Sequence, residues 1–102
     1  MASFRELSSP LIIKELGVRY KSYRLEMELT QKELSDITGV SVQTIRRFET
    51  GASTNLDLGN FIELLRAIGL VGNLDETLPE LPISAAVIAS LESKKRQRVR
   101  HH

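Results

Sequence analysis

No cysteine occurs in the 102 residues. That excludes a disulfide scaffold and a thiolate metal site, and it suits a reducing cytoplasm. Histidine is confined to His101 and His102 at the extreme C-terminus, which read as a tag remnant and are given no metal role. There is no His-Glu-x-x-His helix and no phosphate-cradling glycine loop, so neither an enzyme nor a cofactor is expected. The acidic cluster Asp75, Glu76 and Glu80 is explained by a solvated face or by a helix start. The longest apolar run, residues 83–91, is too short to span a bilayer and is broken by Ser84 and Ser90. It lies near the C-terminus, so no membrane contact and no secretory signal are expected. No segment alternates as a strand would, and the fold should be all-α.

What is present is enough for one small core. Hydrophobic residues make up 41% of the chain, which rules out wholesale disorder. The net charge of +1 conceals an asymmetry. Residues 1–51 carry +1, residues 52–93 carry −5 with Arg66 as the only base, and residues 94–100 carry +5 with no acid. The acidic middle should therefore face away from any polyanion. The organisation expected is an N-terminal arm over 1–9, a compact helical domain over 10–78 and a C-terminal extension with a basic tail over 79–102.

Ser9 and Pro10 suit an N-cap and a first helical position. The helix they open should run toward Glu28, with an interruption near Gly17. On a helical wheel Ile13, Tyr20, Tyr23 and Met27 fall within about 60° of Leu16 and form one apolar stripe. Thr30 and Glu33 have the spacing of a capping box. The helix they start should anchor on Leu34 and Ile37 and end at Gly39, where a left-handed residue allows a tight turn. Ser41 caps the next helix and Gly51 ends it. A fourth helix, capped by Asn55 or Asp57, presents Leu58, Phe61, Ile62, Leu64, Leu65 and Ile68 as a stripe about 160° wide. That is more than one packing partner requires. Gly69 and Gly72 close it, and residues 73–78 suggest a short fifth helix stopped by Pro79.

Residues 30–51, TQKELSDITGVSVQTIRRFETG, are the most informative part of the chain. They read as two short helices joined by a turn too tight for an ordinary loop. On the wheel of the second helix Ile45, Phe48 and Glu49 point inward. Gln43 and Arg47 point directly outward, flanked by Thr44 and Arg46. Gln can pair bidentately with adenine and Arg with guanine, while Thr44 or Val42 can contact a thymine methyl. A solvated face would use the same residue types, and the wheel alone does not separate the two.

The spacing of Gln31, Ser35, Gly39, Val40, Ile45, Phe48, Glu49 and Gly51 resembles the helix-turn-helix of the lambda-repressor-like (Cro/C1, Xre) regulators. The resemblance runs from about Leu16 to Leu70. It implies a five-helix lambda-repressor-like DNA-binding domain with a C-terminal extension. It further implies that Gln31 contacts phosphate while buttressing the reading helix, and that Ser41, Gln43, Thr44 and Arg47 touch bases or backbone. Thr50 and the loop residues Ser53, Thr54 and Asn55 match backbone-contacting positions. Arg24 and Glu49 are implied to form a partly buried salt bridge that orients the reading helix. Ser35 stands where the family usually has Ala, and the loop after Gly51 lacks the bases some relatives place there. Few phosphate contacts imply weak binding by one subunit and a need for a homodimer.

The C-terminal extension adds Leu81, Ile83, Val87, Ile88 and Leu91, which suit packing on the chain's own core or burial against a second subunit. Lys94, Lys95, Arg96, Arg98 and Arg100 follow. They are expected to form a disordered arm on DNA phosphates, a solubilising tail being the alternative. The GLVGNLDETLPE segment and the RQRVR terminus also resemble HipB-like antitoxins, which repress their own operon and bind a HipA-type Ser/Thr kinase toxin. The expectation is therefore a cytoplasmic, nucleoid-associated homodimer that reads an inverted repeat in double-stranded operator DNA, with that kinase as partner. A stand-alone Xre-type regulator and an interaction module that has lost DNA binding are the alternatives.

Overall fold

The computed structural model describes residues 3–82 and 85–99, the side chains of 85 and 95–99 excepted. Six α-helices are present among the described residues: α1 (Ser9–Glu26), α2 (Gln31–Thr38), α3 (Val42–Thr50), α4 (Leu58–Ala67), α5 (Leu74–Thr77) and α6 (Ala85–Val99). Short 3-10 turns cover Phe4–Glu6 and Val71–Asn73, and the described residues contain no strand.

Each helix end follows from local chemistry. Ser8, one residue earlier than expected, caps α1 by accepting the Leu11 N–H, with Pro10 in the first turn. Ser9 is already helical because Pro10 is equally compatible with the second position, where no intrahelical N–H partner is required. The far end of α1 is a Schellman turn. Glu28 takes a left-handed φ of 58°, its N–H bonds Leu25 O and the Leu29 N–H reaches Arg24 O. Thr30 and Glu33 form the capping box in both directions, each bond 3.0 Å. The exposed Glu33 carboxyl is held below its usual range, chiefly by the Thr30 backbone bond. Gly39 and Gly51, at φ 78° and 75°, cap α2 and α3 in the left-handed conformation. Asp57 caps α4.

α1 is not interrupted at Gly17. The glycine is buried, and a Cβ there would lie 1.9 Å from the Phe48 carbonyl oxygen. Its purpose is close approach: it lets α1 lie against the backbone of α3. The core comprises Tyr20, Leu34, Val40, Ile45, Phe48 and Leu64, with Ile13, Leu16, Leu29, Leu56, Phe61, Ala67 and Ile68 packed around it. Phe48 is the hub, tilted on Tyr20 at 5.7 Å and edge-on to Phe61 at 6.2 Å. Tyr20 does not send its hydroxyl to water. It donates to Leu64 O at 2.8 Å, tying α1 to α4, and burial pushes its ionisation far up.

Several expected anchors lie outside this core. Tyr23, Met27, Ile37 and Leu58 are exposed, because each stands at a helix end, Tyr23 and Met27 at the C-terminal end of α1, Ile37 in the last turn of α2 and Leu58 in the first turn of α4. The expected disordered basic arm is instead helical. Lys94, Lys95, Arg96 and Arg98 continue α6 without a break, which the apolar turns before them nucleate. Arg100, Ile83, His101 and His102 lie outside the described residues. Among the described residues α6 adds none to the core, and Leu81, Val87, Ile88 and Leu91 are exposed.

Candidate nucleic-acid interface

The position of α3 is set from its inner face. Ile45 is fully buried, and Phe48 and Glu49 are nearly so. Glu49 makes a bidentate pair with Arg24 of α1. Arg24 Nε donates to one carboxylate oxygen at 2.7 Å and Nη2 donates to the other at 2.8 Å. Arg24 Nη1 donates to Leu29 O at 2.8 Å, which the Schellman turn folds back over the guanidinium. Gln31 Nε2 donates to Glu49 Oε1 at 3.1 Å from the start of α2. Donors from α1 and α2 thus converge on the one carboxylate of α3, and no described buried side-chain polar atom is left without a partner. The hydrogen bonds to Glu49 raise the Arg24 pKa beyond its ordinary value despite its burial. A fork-shaped donor matched to a carboxylate fixes orientation as well as distance.

The outer face is different in kind. Gln43, Arg46 and Arg47 are exposed, while Val42 and Thr44 are half-buried beside them. Among the described residues, the side chains of Gln43, Arg46 and Arg47 make no hydrogen bond or ion pair to the core. Ser41 caps the helix by accepting the Thr44 N–H at 3.1 Å, and its hydroxyl donates to Thr44 Oγ1 at 2.8 Å. The helix N-terminus is therefore pre-set with two hydroxyls at its lip. At the other end the exposed Thr50 hydroxyl donates to Arg46 O at 2.9 Å, and Ser53 N–H returns to Arg47 O at 3.2 Å. The Asn55 N–H bonds Ser53 Oγ. These bonds fold the loop beside α3 and form a mainly polar cleft of about 110 Å³ lined by Thr44, Arg47, Phe48, Ser53, Asn55 and Leu56.

Four residues singled out in the sequence, Thr44, Arg47, Ser53 and Asn55, therefore meet in one cleft. Gln43 and Arg46 stand on the exposed surface of α3 outside its lining; Ser41, Val42, Thr50 and the loop residue Thr54 also lie outside the lining. Gln31 turns toward Glu49. Two parts of the arrangement are not legible along the chain: the Leu29 carbonyl that completes the Arg24 shell, and Gly17 beneath α3. A glycine midway in a strong helix pattern was the available signal for the second.

A family model described as Helix-turn-helix matches residues 21–71, half of the chain. The match covers the end of α1, all of α2, α3 and α4, and the start of the following 3-10 turn. No curated protein matches the chain. No helix among the described residues is long and apolar enough to cross a membrane.

Proposed function

The chain belongs to the helix-turn-helix family of Cro/C1 type and is a DNA-binding transcriptional regulator; from that premise we propose that it is a homodimeric repressor of an inverted-repeat operator. The observation that carries this reading is the division of α3. Its inner face is locked by Arg24, Gln31 and Glu49, and its outer face presents Gln43, Arg46 and Arg47 to solvent. A reading helix must be rigid where it is held and chemically open where it meets base edges.

In this reading Gln43 and Arg47 contact bases, and Val42 and Thr44 supply methyl contacts. Ser41, Arg46, Thr50, Ser53, Thr54 and Asn55 contact sugar and phosphate, fixing register. Gln31 serves as a link between phosphate and Glu49. Two subunits place their α3 helices in successive major grooves about 34 Å apart. The charge distribution supports the need for two, because residues 1–82 contain few bases for phosphate contacts.

The proposal extends to a toxin–antitoxin operon with a HipA-type kinase, in which the regulator represses its own promoter. Support for this step is the sequence resemblance of residues 69–80 and the C-terminus. Fluorescence anisotropy with the promoter of its own gene tests the repressor. Binding that prefers promoter over scrambled DNA and falls with salt is the expected result; equal affinity for both sinks it. Co-purification with the product of an adjacent kinase-like gene tests the antitoxin, and absence of such a complex leaves a stand-alone regulator.

A further inference from the structure

Beside the DNA-reading face, two apolar surfaces are left uncovered. One is a groove of about 240 Å³ between the C-terminal half of α1 and α4, lined by Tyr23, Phe61, Leu65, Ile68 and Leu70, with Arg19 and Asn73 adding polar atoms. Tyr23 is 48% exposed there. The other is the apolar half of α6, where Ile88 is 43% and Leu91 46% exposed. On the helix Val87, Ile88, Leu91 and Lys94 fall within about 120° of one another. One face of α6 is thus apolar first and basic after.

We propose that α6 of a second copy lies in this groove, so that two chains exchange their C-terminal helices. This deepens the dimeric reading above and rests on it. A helix seated by apolar side chains in an apolar groove is an established mode of recognition, here through the apolar first turns of α6. Each chain supplies one helix and one groove, which closes a two-fold dimer.

Charge chooses the occupant. Residues 52–82, which include α4 and the groove residues Leu70 and Asn73, carry −4, and residues 94–100 carry +5. Asp75 and Glu76 stand exposed in the first turn of α5, directly after Asn73. A helix seated by Ile88 and Leu91 brings Lys94 and the following bases toward that acidic segment. The attraction is strongest at low salt. Within one chain, the prolines Pro79 and Pro82 stiffen the connection from α5 to α6 against a reversal onto the groove. The charge asymmetry thereby acquires a role in assembly, independent of phosphate.

The test uses the full chain without DNA, so that failure of the exchange and failure of operator recognition are read separately. Sedimentation velocity is expected to show a dimer. Leu91→Glu in α6 and Tyr23→Glu in the groove should each raise the dimer dissociation constant at least about tenfold. Val18→Glu, on the opposite face of α1, should leave it unchanged. Mixing the Leu91→Glu and Tyr23→Glu chains should restore a dimer, since the first keeps an intact groove and the second an intact helix. A monomeric wild-type chain at high concentration overturns the proposal. A dimer broken by Val18→Glu and indifferent to Tyr23→Glu does so as well. With no cysteine in the chain, Leu91→Cys and Tyr23→Cys chains can be mixed and treated with a bismaleimide. A crosslinked mixed dimer supports exchange, and a crosslinked monomer from the double variant overturns it. A wild-type dimer that ignores operator DNA leaves the exchange standing and removes the repressor reading.

Discussion

α3 and α6 are both helices carrying apolar and basic residues, yet the fold treats them in opposite ways. α3 has nine residues and is capped at both ends, and it is held along one face by Ile45, Phe48 and the Glu49 ion pair. α6 has fifteen residues and, among the described side chains, contributes none to the core. Length and helix propensity do not decide which helix is positioned. Position comes from side chains that have partners on other elements, and for α6 the proposed partner is a second chain.

The largest expected effect breaks the anchored side of this comparison. Glu49→Ala leaves the Arg24 guanidinium buried against Leu29 O and removes the acceptor of Gln31. It should cost about 3–5 kcal/mol of folding stability by urea titration. Leu91→Glu in α6, measured under monomeric conditions, should stay within about 0.5 kcal/mol of wild type. Equal losses would erase the contrast. Gly17→Ala should come next, at about 1–3 kcal/mol, because the added methyl meets Phe48 O and forces α1 from α3. Its DNA affinity should fall with its stability, since the displaced helix is the reading one.

Gln43→Ala and Arg47→Ala separate the two faces of α3. Each should remove about 1–3 kcal/mol of discrimination between operator and scrambled DNA, with melting temperature nearly unchanged. Smaller still is the capping box. The Glu33 carboxyl is lowered in the folded state, so its contribution is fully present above the ordinary carboxylate range. It is lost as pH falls through the lowered value. The stability gap between wild type and Glu33→Ala should therefore close on acidification, measured by denaturant titration at a series of pH values.

Truncation after Ser93 gives the finest distinction. With bases facing a partner's acidic segment, the salt slope of operator binding, measured above the dimer dissociation constant, should not change. A slope reduced by about one per lost phosphate contact would move the tail onto DNA.

Much of this was legible along the chain. The capping box at Thr30, the left-handed Gly39 and Gly51, the Ser41 cap and the in–out division of α3 are short-range features. They depend on residues three or four apart, where the chain itself fixes the distance. The errors share one cause. Tyr23, Met27, Ile37 and Leu58 lie on correctly placed apolar stripes but at helix ends, where they stay exposed. Periodicity reports which face is apolar and is silent on how much of it a neighbour covers. Gly17 misled similarly: intrinsic propensity marks a mid-helix glycine as a weak point, while packing uses its missing Cβ.

By itself, then, the sequence determined the all-helical class, the helix ends around the reading pair and the residues offered outward, because caps, turns and periodicity are local. Only the tertiary structure decided how α3 is held. The Arg24 shell draws on residues of α1, the following turn, α2 and α3, and a three-donor arrangement around a buried guanidinium and carboxylate exists only once those elements have met. The same holds for the groove between α1 and α4, since it is a space between elements distant along the chain.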